Sequence, residues 1–218
     1  MDCVITENDF EVFGEYGEYE EMELETPSSP FNYHDITKDD MNNGEGLRVV
    51  LWMSGCNHRC PGCQNPETWD AASGIAYTEE TEMELFDDLS KEWIDGITFS
   101  GGDPLFPKNR GPVRDIIEKL KKKYPEKTVW LYTGYSLKYS EYGWYFEDES
   151  PWLMEHDRFA IDWLDQIDVL VDGPFNLNIR KVDVADKKDP YWCGSSNQRV
   201  IDVKATLRSG NIALYETA

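Results

Sequence analysis

Three of the chain's five cysteines, Cys56, Cys60 and Cys63, fall within eight residues. An odd cysteine count with one tight cluster is unlike a secreted disulfide framework and fits a metal site in a reducing compartment. Thiolates are the usual ligands of iron-sulfur clusters, and a four-iron cluster held entirely by protein takes four of them. Three leave one iron open, free to act as a Lewis acid and to chelate the amino and carboxylate groups of a ligand. The rival is a closed zinc site, either Cys₃His with His58 or Cys₄ with Cys193 or Cys3. His58 is crowded between Cys56 and Cys60 as a ligand to the same ion, so the spacing favours the cluster while leaving zinc open.

The elements that must position these thiols read as alternating strands and helices from residue 47 onward, the pattern of a parallel sheet built from βα units. Strands are expected at 47–53, 96–100, 128–133 and 166–172, with a less distinct one at 199–205. Helices are expected at 78–93, with Met83, Phe86, Leu89 and Trp93 on one face, and at 113–124, with Ile116, Ile117 and Leu120. Residues 140–151 read as an irregular acidic and aromatic loop insertion, followed by a helix near 152–164. The unusual residues fall just after the strands: the cysteines, then Gly101 to Pro104, Thr133 to Tyr135, and Asp172 to Phe175. In parallel α/β sheets these loops gather on one rim, where ligands bind.

Composition excludes several other functions. At 218 residues the chain suits one domain, and its formal charge of -22 argues against nucleic acid or an anionic membrane as partner. Residues 1–30 hold ten acids and no Lys or Arg, which reads as a solvated acidic extension with Phe10, Phe13, Tyr16 and Tyr19 available for docking. No apolar run approaches the roughly 20 residues of a membrane span. The start of the chain lacks the marks of a signal peptide, so a cytoplasmic location is expected.

The spacing C-x₃-C-x₂-C resembles the signature of radical S-adenosylmethionine (SAM) enzymes. With NGEGLR (43–48), SGCNHRCPGCQNPETW (54–69), SGGDPL (100–105), WLYTGY (130–135), LVDGPF (170–175) and GSSNQR (194–199) in order, the chain is similar to the activating proteins of anaerobic ribonucleoside-triphosphate reductase. That resemblance implies an α/β fold, a partial, open (βα) barrel of mostly parallel strands, spanning 31–218 behind the acidic extension 1–30. It implies a [4Fe-4S] cluster on Cys56, Cys60 and Cys63, with SAM on its open iron. The SAM site would take in Gly62, Cys63, Gln64, Gly101, Gly102, Asp103 and Thr133, with Asp103 as an acceptor near the ammonium group. The implied partners are the large subunit of the reductase, which receives a glycyl radical, and a flavodoxin-like electron donor. The segment 138–162 exceeds the compact family pattern. A radical SAM enzyme acting on a small molecule and a zinc-stabilised binding module remain the alternatives.

Overall fold

The computed structural model describes residues 31–181 and 192–216. The acidic extension, with Cys3, lies outside the described residues. Four strands form the centre of a seven-stranded sheet: β2 (Arg48–Met53), β4 (Gly96–Gly101), β5 (Thr128–Tyr132) and β9 (Val169–Asp172), mutually parallel in the order β2-β4-β5-β9. Beside β2 run β1 (Asn32–Asp40), antiparallel to it, and then β3 (Ile75–Ala76) at the edge. The other edge is β10 (Arg199–Asp202), antiparallel to β9. The strand order is linear, with β10 and β3 at opposite edges, so what is observed is an open, mostly parallel sheet.

Alternation along the strands sorts the sheet into two unlike faces. Val49, Leu51, Met53, Ile97, Phe99, Val129, Leu131 and Leu170 point into the main core. There they meet α1 (Glu79–Leu89), α2 (Arg110–Lys123) and α3 (Val203–Ser209) through Leu85, Leu89, Val113, Ile117, Leu120 and Val203. The opposite face carries Arg48, Trp52, Thr98, Ser100 and Tyr132 beside a second, smaller apolar cluster of Trp130, Val169, Val171, Cys193 and Val200. At the N-terminal end of this face Arg48 is fully buried and spends all five guanidinium donors on neutral acceptors. These are Thr98 Oγ1, the Glu45 and Ile97 carbonyls, and both the hydroxyl and the carbonyl of Thr128.

Several expectations change in detail. The last strand stops at Asp202, whose side chain accepts from Ala205 N–H and so caps α3. Helix α1 buries Thr81, Leu85, Phe86, Asp88 and Leu89, whereas Met83 lies on its exposed side and Trp93, also exposed, falls beyond the cap at Ser90. Residues 166–172 split into a 3-10 turn (Leu164–Gln166) and the shorter β9. Residues 152–164 form no α-helix.

The expected loop at 140–151 is a correction as well. Strands β6 (Tyr135–Ser140) and β7 (Gly143–Asp148) pair as a hairpin, with the short β8 (Arg158–Phe159) beside β7 in a second sheet. Tyr135, Leu137 and Phe146 join the main core, while Tyr139 and Tyr142 are exposed. Among the described residues no helix is long and apolar enough to cross a membrane.

Candidate active site

The cysteine loop leaves β2 at Met53 and is stitched to the segment behind it: Gly55 N–H donates to the Thr68 carbonyl at 2.7 Å and Cys56 N–H to the Trp69 carbonyl at 3.0 Å. Its second half is a tight turn, in which Cys63 N–H donates to the Cys60 carbonyl at 3.0 Å. Pro61 holds the second position and Gly62, at φ +74°, the third, the type II arrangement that favours glycine there. Arg59 also lies in the left-handed region, at φ +46°.

The loop after β4 is laced directly onto this one. Gly102 N–H donates to the Met53 carbonyl at 2.7 Å and Asp103 N–H to the Gly55 carbonyl at 2.8 Å. The approach leaves no room for side chains, since a Cβ at Gly102 would stand 2.5 Å from Gly55 O and one at Gly101 would stand 2.7 Å from Met53 N. Buried Asn109, at the start of α2, donates to the Ser54 carbonyl at 2.9 Å and the Asp103 carbonyl at 2.8 Å, tying both loops to one helix.

Asp103 is a buried hub. One carboxylate oxygen accepts from Leu105 N–H (2.7 Å) and Thr133 Oγ1 (2.9 Å). The other accepts from Gly134 N–H (2.8 Å) and faces His58 Nε2 (2.8 Å). His58 is 1% exposed, and its Nδ1 lies 3.0 Å from Asp148 Oδ2 at the end of β7. Burial pushes the imidazole toward neutrality, yet the hydrogen bonds it donates to both carboxylates outweigh this and raise its pKa to about 9. With each ring nitrogen facing a carboxylate, His58 is not placed to be a fourth metal ligand. Gly134 must be a glycine here, because a Cβ would sit 2.4 Å from the imidazole ring.

These loops enclose one wall of a cavity of about 400 Å³ over the polar face of the sheet. Cys56, Cys60, Cys63, Gln64, Gly101, Gly102, Asp103 and Thr133 all line it, together with Trp52, Tyr132 and Cys193. Gly62 is not among the lining residues; it faces Leu177 instead. Two further hollows of about 520 Å³, one between α1 and α2 and one under the N-terminal ends of the strands, contain no cysteine.

The donor set suits an iron-sulfur cluster. Cys56, Cys60 and Cys63 are outside any disulfide and share the cavity with a strand end stripped of side chains. Burial pushes the Cys56 thiol well up and Cys60 up to about 12, so these sulfurs need a cation beside them to ionise, and coordination deprotonates a thiol outright. Among the described residues no group of three or more His, Cys, Asp or Glu side chains forms a ready-made site for a single metal ion. The fit therefore rests on the three thiols and their cradle.

Comparison with known proteins agrees with this geometry. A family model described as a 4Fe-4S single cluster domain matches residues 42–201. The anaerobic ribonucleoside-triphosphate reductase-activating protein of Enterobacteria phage T4 is 39% identical over 169 residues, covering 78% of this chain and 92% of its own length. The proteins of the same name from Escherichia coli K12 and Vibrio cholerae are 38% and 37% identical, over 78% and 77% of this chain and 97% and 95% of theirs. The chain belongs to the anaerobic ribonucleoside-triphosphate reductase-activating protein family.

Within this family's motifs, LVDGPF and GSSNQR interlock. Buried Asp172 receives both Arg199 Nε (2.9 Å) and Arg199 Nη2, along with Leu137 N–H (2.8 Å). Gln198 Oε1 accepts from the backbone N–H groups of Gly194 and Ser195, while its amide donates to the Gly173 carbonyl. Asn197 donates to the Pro174 carbonyl. Ser195 and Asn197 are thus tied into the fold behind the far wall, where Gly194 and Gln198 line the cavity. Sequence reading missed His58 as a buried link, along with Asn109, Asp148, Ser150 and Trp152. The only signal for them was polar type, and their partners lie up to 94 residues away.

Proposed function

We propose that this chain activates an anaerobic ribonucleoside-triphosphate reductase by placing a glycyl radical on it, using SAM and a [4Fe-4S] cluster held by Cys56, Cys60 and Cys63. The observation that carries the reading is the lining of one cavity by all three thiols and the Gly101–Gly102 strand end, in a chain whose relatives bear that activity in their names. Held by Cys56, Cys60 and Cys63, a reduced cluster would supply one-electron reductive cleavage of SAM, and with it the radical chemistry directed at the reductase's glycine.

The chain's own residues orient and shield. Gly101 and Gly102 offer backbone groups at close range to the methionine part of SAM, and Thr133 and Gln64 border the same space. Asp103, with its oxygens already holding four groups of the protein, serves by fixing Thr133, Gly134 and His58. Gly62 shapes the turn between Cys60 and Cys63. A sheet with helices on one face and the cavity on the other supports the partial-barrel reading, with 31–218 as one catalytic domain behind an acidic extension. A flavodoxin-like donor and a cytoplasmic location complete the proposal, and the net charge of -22 favours a partner with a basic docking face.

The test is anaerobic incubation with SAM, a reductant and the cognate reductase. A glycine-centred doublet should appear in the electron paramagnetic resonance spectrum, vanish in Cys56→Ala, Cys60→Ala and Cys63→Ala, and persist in Cys193→Ala. SAM cleavage without the doublet would favour a small-molecule substrate. Zinc in place of iron after reconstitution would favour a binding module.

A further inference from the structure

The hairpin of β6 and β7 has no part in the reaction as derived above, yet the chain returning from it touches the cysteine loop at three points, all on one residue. Asp148 Oδ2 lies 3.0 Å from His58 Nδ1, Ser150 Oγ lies 3.4 Å from the same nitrogen, and Trp152 Nε1 donates to the His58 carbonyl at 2.6 Å. Asp148 is itself held: its backbone N–H donates to the Asp157 carbonyl at 2.9 Å and its Oδ1 accepts from Ser150 N–H at 2.8 Å. On the far side His58 Nε2 meets Asp103 at 2.8 Å, and Asp103 holds Thr133 and Gly134. The Tyr135 ring stands edge-on to the imidazole at 4.5 Å. A ring pinned at both nitrogens, between two acceptor-only groups, cannot turn without breaking one of them.

We propose that Asp148 is a positioning residue, through which the hairpin, by way of His58, sets the Cys56–Cys63 loop against the Gly101–Asp103 strand end. The consequence for SAM rests on the function proposed above; the positioning itself does not. Hydrogen-bonding residues just outside a metal site orient its ligands, and their loss typically costs about 10- to 100-fold in affinity or activity.

The experiment begins with cluster-free, reduced full-length protein and measures alkylation rates of individual cysteines by mass spectrometry. Cys60 is 8% exposed, as is Cys193, which serves as internal control on the opposite wall. In Asp148→Ala, Cys60 should react about tenfold faster, as expected when a charge-assisted hydrogen bond restraining local opening is lost, with Cys193 within about twofold. Asp148→Asn, which retains an acceptor, should stay within about threefold of wild type. After reconstitution, Asp148→Ala should keep its iron and bind SAM about 10- to 100-fold more weakly. An unchanged Cys60 rate, or an equal rise at Cys193, overturns the proposal. If Asp148→Ala does not fold, Trp152→Phe carries the same test with an expected rise of about threefold, and no rise at Cys60 overturns it. A wild type that takes up iron but does not bind SAM defeats the proposed function, while the alkylation rates still decide the positioning role.

Discussion

Replacing Gly102 by alanine tests whether the two strand-end loops must touch for the site to work. The residue's φ is not in the left-handed region, so alanine meets no backbone strain of its own. The new Cβ would lie 2.5 Å from Gly55 O, where real Cβ atoms stay beyond 3.0 Å, so one loop must retreat by at least about half an ångström. That oxygen already accepts from Asp103 N–H at 2.8 Å, and Gly102 N–H donates to Met53 O at 2.7 Å. Overpacking costs about 1–3 kcal/mol, and weakening one or both of these bonds adds about 0.5–1.5 kcal/mol each. A stability loss of about 1.5–6 kcal/mol follows, measured by urea unfolding of the cluster-free protein. Since a 1 Å misplacement can cost about 100-fold, the reconstituted variant should bind SAM about tenfold more weakly with its iron retained. Gly111→Ala, in the first turn of α2, is the control for site geometry: nothing beyond its chain neighbours lies within 4 Å of its Cβ, so SAM affinity should stay within about twofold of wild type, although Pro112 after it makes alanine less favourable than glycine in the helical region. SAM affinity within twofold of wild type and unchanged stability in Gly102→Ala would show that the loops have slack and refute the argument.

Arg48→Met should destabilise by about 3–5 kcal/mol in urea unfolding, because it strips the donor from five acceptor contacts, two of them fully buried and three partly so; a loss below about 1 kcal/mol would mean that water replaces the guanidinium. Although burial pushes Asp148 up, hydrogen bonds from His58 and Ser150 to the anion bring its pKa down to about 2 from 3.8. A depressed value in the folded state stabilises above the unfolded value, so the stability gap between wild type and Asp148→Asn should shrink as pH falls from about 4 to 2. A constant gap across that window would remove Asp148 from the ion pair. Deleting residues 1–30 should leave the melting temperature and iron uptake unchanged; a truncated protein that does not fold would place that segment in the core.

What could be read from the sequence depended on how local its cause was. Strands β2, β4, β5 and β9 are short apolar runs followed by glycine or proline, and both faces of each are covered well enough for the runs to stand out. Strand β1, NYHDITKDD, is half-exposed and polar, and left no such mark. The hairpin was hidden because its period-two pattern, with Leu137 and Phe146 inward and Lys138 and Glu147 outward, is overlaid by acids at Glu141, Glu147, Asp148 and Glu149. The cysteines and the glycines after β4 were legible from spacing. His58 invited reading as a ligand because of its neighbours, and only the fold brings in the two carboxylates, 45 and 90 positions away, that give it a different task.

The distances along the chain at this site have a consequence for its assembly. The three sulfur donors are separated by only a few residues, so bringing them around iron requires closing very short loops, available even to a chain that has not folded. The cradle draws on residues from β2 to β10, whose parallel pairings need long crossovers and form slowly. A nascent chain exposed to iron or zinc before the sheet is complete can therefore capture metal on Cys56, Cys60 and Cys63 without the walls that give it chemistry. Productive maturation favours folding first and cluster delivery second. The same asymmetry makes late iron loading of the folded, reduced protein the route on which the highest proportion of competent molecules is expected.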